Sequence, residues 1–275
     1  MEKERIVSMI GKVRKEVPLV HNITNYVTVN DCANAVLAIG ASPIMADDMK
    51  ETTDITSISK ALVVNIGTLN ERTISSMIAS GKKANELNIP VIFDPVGAGA
   101  SAFRNQTTKK ILENVKVNII RANLSEMSFI AGLNVSTKGV DVSKEDERND
   151  VVSVAKNVAK MYNCVAAVTG KTDIVSDGEH IAKLSNGTEL LSKVTGTGCM
   201  TSALTGSFAG VVSKYGEYDY FDAACAGISA MSIAGELAYK KTIESGTGSF
   251  HVSIIDFLSK MDEEMMSENI NIEII

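Results

Sequence analysis

Four short apolar runs constrain this chain more than any other feature: Ala61-Leu-Val-Val-Asn-Ile66, Pro90-Val-Ile-Phe93, Val117-Asn-Ile-Ile120 and Cys164-Val-Ala-Ala-Val168. Between them lie stretches whose apolar residues recur at helical spacing, at 70–87, at 107–115 and up to Met161. A strand that is apolar at nearly every position is covered on both faces. Such strands alternating with helices specify a buried parallel sheet flanked by helices. In an open sheet of this kind, ligands collect beyond the carboxyl ends of the strands. The polar residues that close each run therefore carry the functional signal.

The chain has 275 residues, enough for one large α/β domain. A domain of that size buries roughly 75% of its unfolded surface and needs no staples. No linker, repeat or low-complexity segment divides it, so residues 1–275 are expected to form a single domain. The net charge of −6, without a basic block, argues against nucleic acid as a partner. No apolar run is long enough to span a membrane. The charged start Met1-Glu-Lys-Glu-Arg5 does not resemble a signal peptide, and a cytoplasmic protein is expected. Cys32, Cys164, Cys199 and Cys225 are far apart and indicate neither zinc nor a redox pair. Three of them sit in or beside apolar runs and are expected to be core thiols. Only Cys199 sits in a glycine-rich turn.

The other elements follow from the same signals. Residues 3–16 predict an amphipathic helix ended by Pro18, and Leu19–Asn25 a strand entering a polar turn. Residues 26–39 predict a helix stopped at Gly40, and Ser42–Asp48 a strand closing in carboxylates. A charged loop at 138–150 leads into the helix that reaches Met161. After Cys164–Val168, short strands at Ile174–Ser176, Ile181–Leu184 and Leu190–Lys193 turn at Asp177-Gly178 and Asn186-Gly187, giving an antiparallel edge. Helices are expected from about Thr197 to Lys214, then at 219–241 and 251–267. The first of the last two is rich in small residues that permit close packing. Gly246-Thr-Gly248 reads as a cap, and the Ile-rich tail as a last strand.

Chemistry concentrates at the ends of the strands. Val194-Thr-Gly-Thr-Gly-Cys-Met-Thr201 opens a helix. Gly196 and Gly198 admit a ligand close to the backbone, and the first-turn N–H groups with the helix dipole favour an anion. Asp94 closes one strand and suits either a metal or phosphate site or the capping of its own loop. Arg121 closes another and can clamp a phosphate. Glu126 opens the following helix, as a water-bridged Mg²⁺ ligand or as a first-turn charge. Met45 lines an apolar pocket or belongs to the core, and the cluster at His21–Asn25 is a ligand contact or a set of caps. An anion hole, a positive clamp and carboxylates are the parts of phosphoryl transfer. The chain contains neither G-x-x-x-x-G-K-[ST] nor the protein-kinase motifs.

Asn123-Leu-Ser-Glu126 resembles the N-x-x-E motif of ribokinase-like kinases, and Gly196-Thr-Gly198 their anion hole. Pro18-Leu-Val-His-Asn-Ile-Thr-Asn-Tyr-Val27, Asp94-Pro-Val-Gly-Ala-Gly-Ala100 and Gly196-Thr-Gly-Cys-Met200 resemble, more narrowly, hydroxyethylthiazole kinase. The resemblance runs from near residue 5 to near residue 260. It implies a ribokinase-like three-layer α/β/α sandwich with a mostly parallel sheet. It further implies phosphorylation of 4-methyl-5-(2-hydroxyethyl)thiazole with ATP and Mg²⁺ in thiamine salvage, by a homotrimer with its thiazole pockets at subunit boundaries. Met45 and Gly196 would contact the substrate, with Asn25 and Gly67 lining the pocket. Arg121 and Thr169 would contact ATP, Gly196, Thr197 and Gly198 form the anion hole, and Asp94 and Glu126 hold the metal. Cys199 stands where most of the superfamily carries Asp, as base or as a group that positions the hydroxyl. Another small-molecule kinase of the superfamily, such as a pyridoxal or pyrimidine kinase, the related ATP-dependent hydrate dehydratase and a non-catalytic sensor are the rival readings.

Overall fold

The computed structural model describes residues 2–133 and 144–275, so residues 138–143 of the expected charged loop lie outside the described residues, and the rest of that stretch belongs to a helix that starts at Lys144. In chain order the elements are α1 (Glu2–Glu16), β1 (Leu19–Ile23), α2 (Val29–Ile39), β2 (Ser42–Ile44), α3 (Thr52–Ile58), β3 (Ala61–Asn65), α4 (Glu71–Glu86), β4 (Val91–Asp94), α5 (Ala102–Asn114), β5 (Ile119–Asn123) and α6 (Leu124–Ile130). Then come α7 (Lys144–Tyr162), β6 (Val165–Thr169), β7 (Asp173–Ser176), β8 (Ile181–Leu184), a 3-10 turn (Glu189–Lys193), α8 (Thr197–Val212), α9 (Tyr220–Thr242), α10 (Thr247–Lys260), α11 (Glu263–Asn269) and β9 (Ile272–Ile274).

The described strands form one sheet in the order β2-β1-β3-β4-β5-β6-β7-β8-β9. The pairings from β2 to β6 are parallel, and those from β6 to β9 antiparallel. The chain runs outward from β1 to β2, returns past β1 to β3, and then advances strand by strand. The order therefore reverses between β1 and β3, which opens a crevice at the carboxyl ends of these strands.

Side chains alternate across the sheet, and both faces are covered. Val20, Val63, Ile92 and Ile119 enter one core with Ile10, Ile39, Phe208 and Phe250 of the helices on that side. Leu62, Val64, Phe93 and Ile120 enter the other, with Met77, Ile111, Met127 and Val158. This is the three-layer α/β/α architecture, and the double coverage is why the strands read as unbroken apolar runs. Helix α8 lies across β1, β3 and β4 and is buried from Met200 to Val211. Helix α9 packs on it closely enough that a Cβ on Gly227 would meet the Thr205 backbone at 2.7 Å, which explains its small-residue composition.

Several boundaries differ from the sequence expectation. Leu190–Lys193 is not a strand but part of the 3-10 turn, because the Thr188 side chain caps Leu190 N–H and Leu190 and Leu191 pack on the core. The tail strand β9 pairs with β8 in its place. The helix expected at 251–267 is two helices, α10 and α11, since Asp262 caps Met265 and restarts the chain. The helix expected at 107–115 begins at Ala102, where Ser101 caps Arg104. Helix α2 begins at Val29, not at residue 26, because Thr28 N–H bonds back to Asn25. The short helix α3 had no clear periodic signal. Gly246 is indeed a cap, that of α10.

Candidate active site

Residues that close β1, β3 and β4 meet the start of α8 through a chain of side-chain amides. Asn25 lies in the turn after β1, and its Oδ1 accepts Thr28 N–H at 3.2 Å and Thr28 Oγ1 at 3.1 Å. Its Nδ2 donates to Asn65 Oδ1 at 3.0 Å and to Cys199 Sγ at 3.2 Å. Asn65, the last residue of β3, also accepts Gly67 N–H at 2.8 Å and donates from Nδ2 to Asp94 Oδ2 at 2.9 Å. Asp94 closes β4, and its Oδ2 accepts Ser202 Oγ at 2.7 Å. Gly67 is set by close approach: a Cβ there would meet Asn25 Nδ2 at 2.7 Å.

Asp94 is fully buried, and burial pushes its carboxyl up to about 6 against the opposing pull of Arg121 and Ser202. Arg121 Nη1 stands 3.7 Å from Asp94 Oδ2, while Nη2 donates to Thr169 Oγ1 at 2.6 Å. Two buried atoms of this group have no hydrogen-bond partner, Asp94 Oδ1 and Arg121 Nε. The guanidinium lies over the first turn of α8, where a Cβ on Gly198 would meet Nη1 at 2.8 Å. Asp173, at the start of β7, accepts Gly170 N–H at 2.8 Å, and burial pushes it up to about 6 as well.

Gly196 caps α8 with φ +91°, a conformation that an L side chain rarely adopts, and a Cβ there would meet Thr28 Cγ2 at 2.9 Å. The helical ladder starts with Met200 N–H to Gly196 O at 2.8 Å, and no side chain caps the end. The N–H groups of Thr197, Gly198 and Cys199 precede that bond and face the crevice end of the sheet. The Thr197 hydroxyl turns away and donates to Leu191 O at 3.0 Å. Cys199 is half-buried, whereas Cys32, Cys164 and Cys225 are buried core thiols.

Glu126 is first of all a structural link. Asn123 and Glu126 form a capping box at α6. Glu126 Oε2 accepts Asn123 N–H at 3.0 Å, and Oε1 accepts Gly97 N–H at 2.7 Å. The carboxylate thus ties the loop after β4 to the end of β5. Arg104 supports the same region, donating to the carbonyls of Ile66 and Gly67 at 2.6 and 2.7 Å and to that of Val96. Among the described residues no three His, Cys, Asp or Glu side chains converge as a cation cage. The unpartnered Asp94 Oδ1, near the Glu126 charge, still fits a hydrated cation.

Met45 lies apart from this group, on a cavity of about 300 Å³ lined also by Asn22, Thr24, Tyr26, Thr68 and Arg72. Thr24, Tyr26 and Thr68 flank Asn25 and Gly67, so the cavity adjoins the amide chain. His21 is buried beneath it. Its Nε2 donates to Ala46 O at 2.7 Å, and Nδ1 pairs with Thr56 Oγ1 at 3.0 Å. Burial lowers its proton affinity, and it holds the Met45 segment rather than a ligand.

The structure brings Asp94, Arg121, Thr169, Gly196–Cys199, Asn25 and Gly67 together, all singled out in the sequence. The sequence reading missed Asn65, Ser202, Arg104 and Asp173. The signal for Asn65 was available, as the one polar residue inside Ala61–Ile66.

A family model described as the hydroxyethylthiazole kinase family matches residues 10–264. A protein of Clostridium beijerinckii named hydroxyethylthiazole kinase is 61% identical over 267 residues, covering 96% of this chain and 95% of its own length. The structure of a hydroxyethylthiazole kinase from Pyrococcus horikoshii superposes with a TM-score of 0.88 at 37% identity, over 98% of this chain and 99% of that one. A pyridoxal kinase from Staphylococcus aureus, solved with AMP-PCP and pyridoxal, reaches 0.61 at 12% identity over 94% and 99%, a likeness of fold alone. The match along nearly the whole chain places this protein in the hydroxyethylthiazole kinase family.

Proposed function

We propose that this chain transfers the γ-phosphoryl group of ATP to the hydroxyl of 4-methyl-5-(2-hydroxyethyl)thiazole, yielding ADP and the thiazole phosphate for thiamine salvage. The observation that carries this reading, within the family shown above, is the uncapped first turn of α8. It stands under the Arg121 guanidinium and carries Cys199 at its edge. In the reaction the substrate oxygen bonds to the γ-phosphorus as the bond to the β–γ bridging oxygen breaks, and the hydroxyl proton departs. Charge spreads over the phosphoryl oxygens, so positioned donors do most of the work. The N–H groups of Thr197, Gly198 and Cys199 stabilise that charge, and Arg121, steadied by Thr169, neutralises the nucleotide. Cys199 positions the hydroxyl and takes its proton. Met45, Asn25 and Gly67 border the thiazole.

Asp94 and Glu126 would hold Mg²⁺, which supplies charge neutralisation on the transferring phosphate. Asp94 offers its unpartnered Oδ1, and Glu126 acts through water. A homotrimer is proposed on the family resemblance. Tyr26, Val27, Leu37 and Val252 are exposed on α2, the turn before it and α10, and supply apolar surface for a boundary beside the Met45 cavity. No helix among the described residues is long and apolar enough to cross a membrane.

Incubation with ATP, Mg²⁺ and the thiazole alcohol should form ADP and the organic phosphate in equal amounts, read by ³¹P NMR. ADP with inorganic phosphate alone would contradict transfer to the alcohol. Cys199→Ala should lower kcat by about 10²-fold with a smaller change in KM, since general-base help is modest in this chemistry. Cys199→Asp should retain activity. Wild-type kinetics from Cys199→Ala with an unfolded Cys199→Asp would return Cys199 to the core.

A further inference from the structure

The amide chain between Cys199 and Asp94 has a direction, and that direction is forced. An Asn side chain presents a carbonyl and an NH₂ of nearly equal shape, so its neighbours decide which way it points. For Asn25 the decision is made by Asn65, whose Oδ1 at 3.0 Å requires a donor, while Thr28 N–H, which also bonds the Asn25 carbonyl, adds a bond to Oδ1 at 3.2 Å. Oδ1 therefore faces Thr28, and Nδ2 faces Asn65 and Cys199. For Asn65 the decision is made twice. Gly67 N–H at 2.8 Å requires Oδ1 on one side, and the Asp94 carboxylate at 2.9 Å requires Nδ2 on the other. Asn65 is 1% exposed, so no water can substitute for these partners without rearrangement.

Both Asn25 Nδ2 hydrogens are consequently committed, one to Asn65 and one to the Cys199 sulfur. An N–H aimed at sulfur makes that sulfur an acceptor and turns any S–H proton outward. Asn25 keeps this aim only while Asn65 Oδ1 holds its other hydrogen.

We propose that Asn65 is a positioning residue of the phosphoryl-transfer site: through Asn25 it fixes an N–H on the Cys199 sulfur, and it joins that thiol to Asp94 as one rigid unit. This rests on the kinase reading above for its catalytic consequence, but the orientation of Cys199 is measurable without any substrate. Asn65 touches no reacting atom and acts through Asn25.

The test uses alkylation of Cys199 by iodoacetamide, located by mass spectrometry on the full-length protein. Cys199 is the one described cysteine that is not buried, and alkylation proceeds through the thiolate. Asn65→Leu removes the acceptor for Asn25 and should slow Cys199 alkylation about five-fold, the equivalent of one lost hydrogen bond. Asn65→Asp, sharing one proton with the adjacent Asp94, keeps that acceptor and should alkylate near the wild-type rate. In the kinase assay Asn65→Leu should lower kcat about ten-fold or more while the KM for ATP stays near wild type. If Asn65→Leu melts below the assay temperature, Asn65→Ala carries the same expectation. Unchanged or faster alkylation in the Leu or Ala variant, or equal slowing in Asn65→Asp, overturns the proposal. A wild-type protein without kinase activity that still shows the alkylation pattern overturns the kinase reading and leaves the Asn65 assignment standing.

Discussion

Asp173 is a carboxyl whose anion is disfavoured by folding. Its value rises from 3.8 unfolded to about 6 folded because burial disfavours the anion more than Gly170 N–H and Arg121 favour it. The folded chain thus binds this proton more tightly than the unfolded chain. Its contribution to stability is greatest below about pH 4 and falls as pH rises through 6. Asp173→Asn keeps an acceptor for Gly170 and removes the charge. It should raise Tm at pH 7.5 by a few degrees, corresponding to on the order of 1–3 kcal/mol, with the gap closing by pH 4. An equal Tm at pH 7.5 would show that the carboxylate is compensated. Asp94→Asn should cost at least about 10²-fold in kcat, as the cation-holding role proposed above requires. Asp94, Arg121 and Thr169 were legible in the sequence because each follows an apolar run. Asp173 and Ser202 were not, because their importance comes from the burial that only the packed sheet and α8 impose.

At the scale of elements, loops are tied together by side chains that read as local caps. Glu126 caps α6 within three residues of Asn123, yet its other oxygen reaches Gly97 on the loop after β4. Glu126→Gln retains one acceptor and sets an NH₂ against a backbone N–H. It should lower stability by about 1–2 kcal/mol and raise the Mg²⁺ concentration needed for half-maximal rate. A lowered Tm with an unchanged Mg²⁺ titration would leave Glu126 a cap alone. The parallel strands and α8 were predictable because their patterns are long or continuous. The 3-10 turn at Glu189–Lys193 was mistaken for a strand, since two adjacent leucines beside a polar residue carry no decisive period. The break between α10 and α11 was missed because Asp262 as a cap interrupts an otherwise helical spacing.

Across the whole molecule, the reversal of strand order between β1 and β3 sets the geography of function. It leaves a crevice where Asn25, Gly67, Asp94 and Arg121 meet the start of α8. The Met45 cavity opens beside that crevice, and Tyr26 on its wall is 78% exposed. An aromatic so exposed on that cavity leads us to expect that assembly completes it. Sedimentation should give a trimer, and a fully active monomer would reject that assembly. The alcohol acceptor itself is the central claim. Coupled measurement of ADP release with ATP and Mg²⁺ across a panel of alcohols tests it most directly. Steady turnover with 4-methyl-5-(2-hydroxyethyl)thiazole, and little with pyridoxal or ribose, is the predicted result. Turnover with pyridoxal or ribose and none with the thiazole alcohol would contradict it.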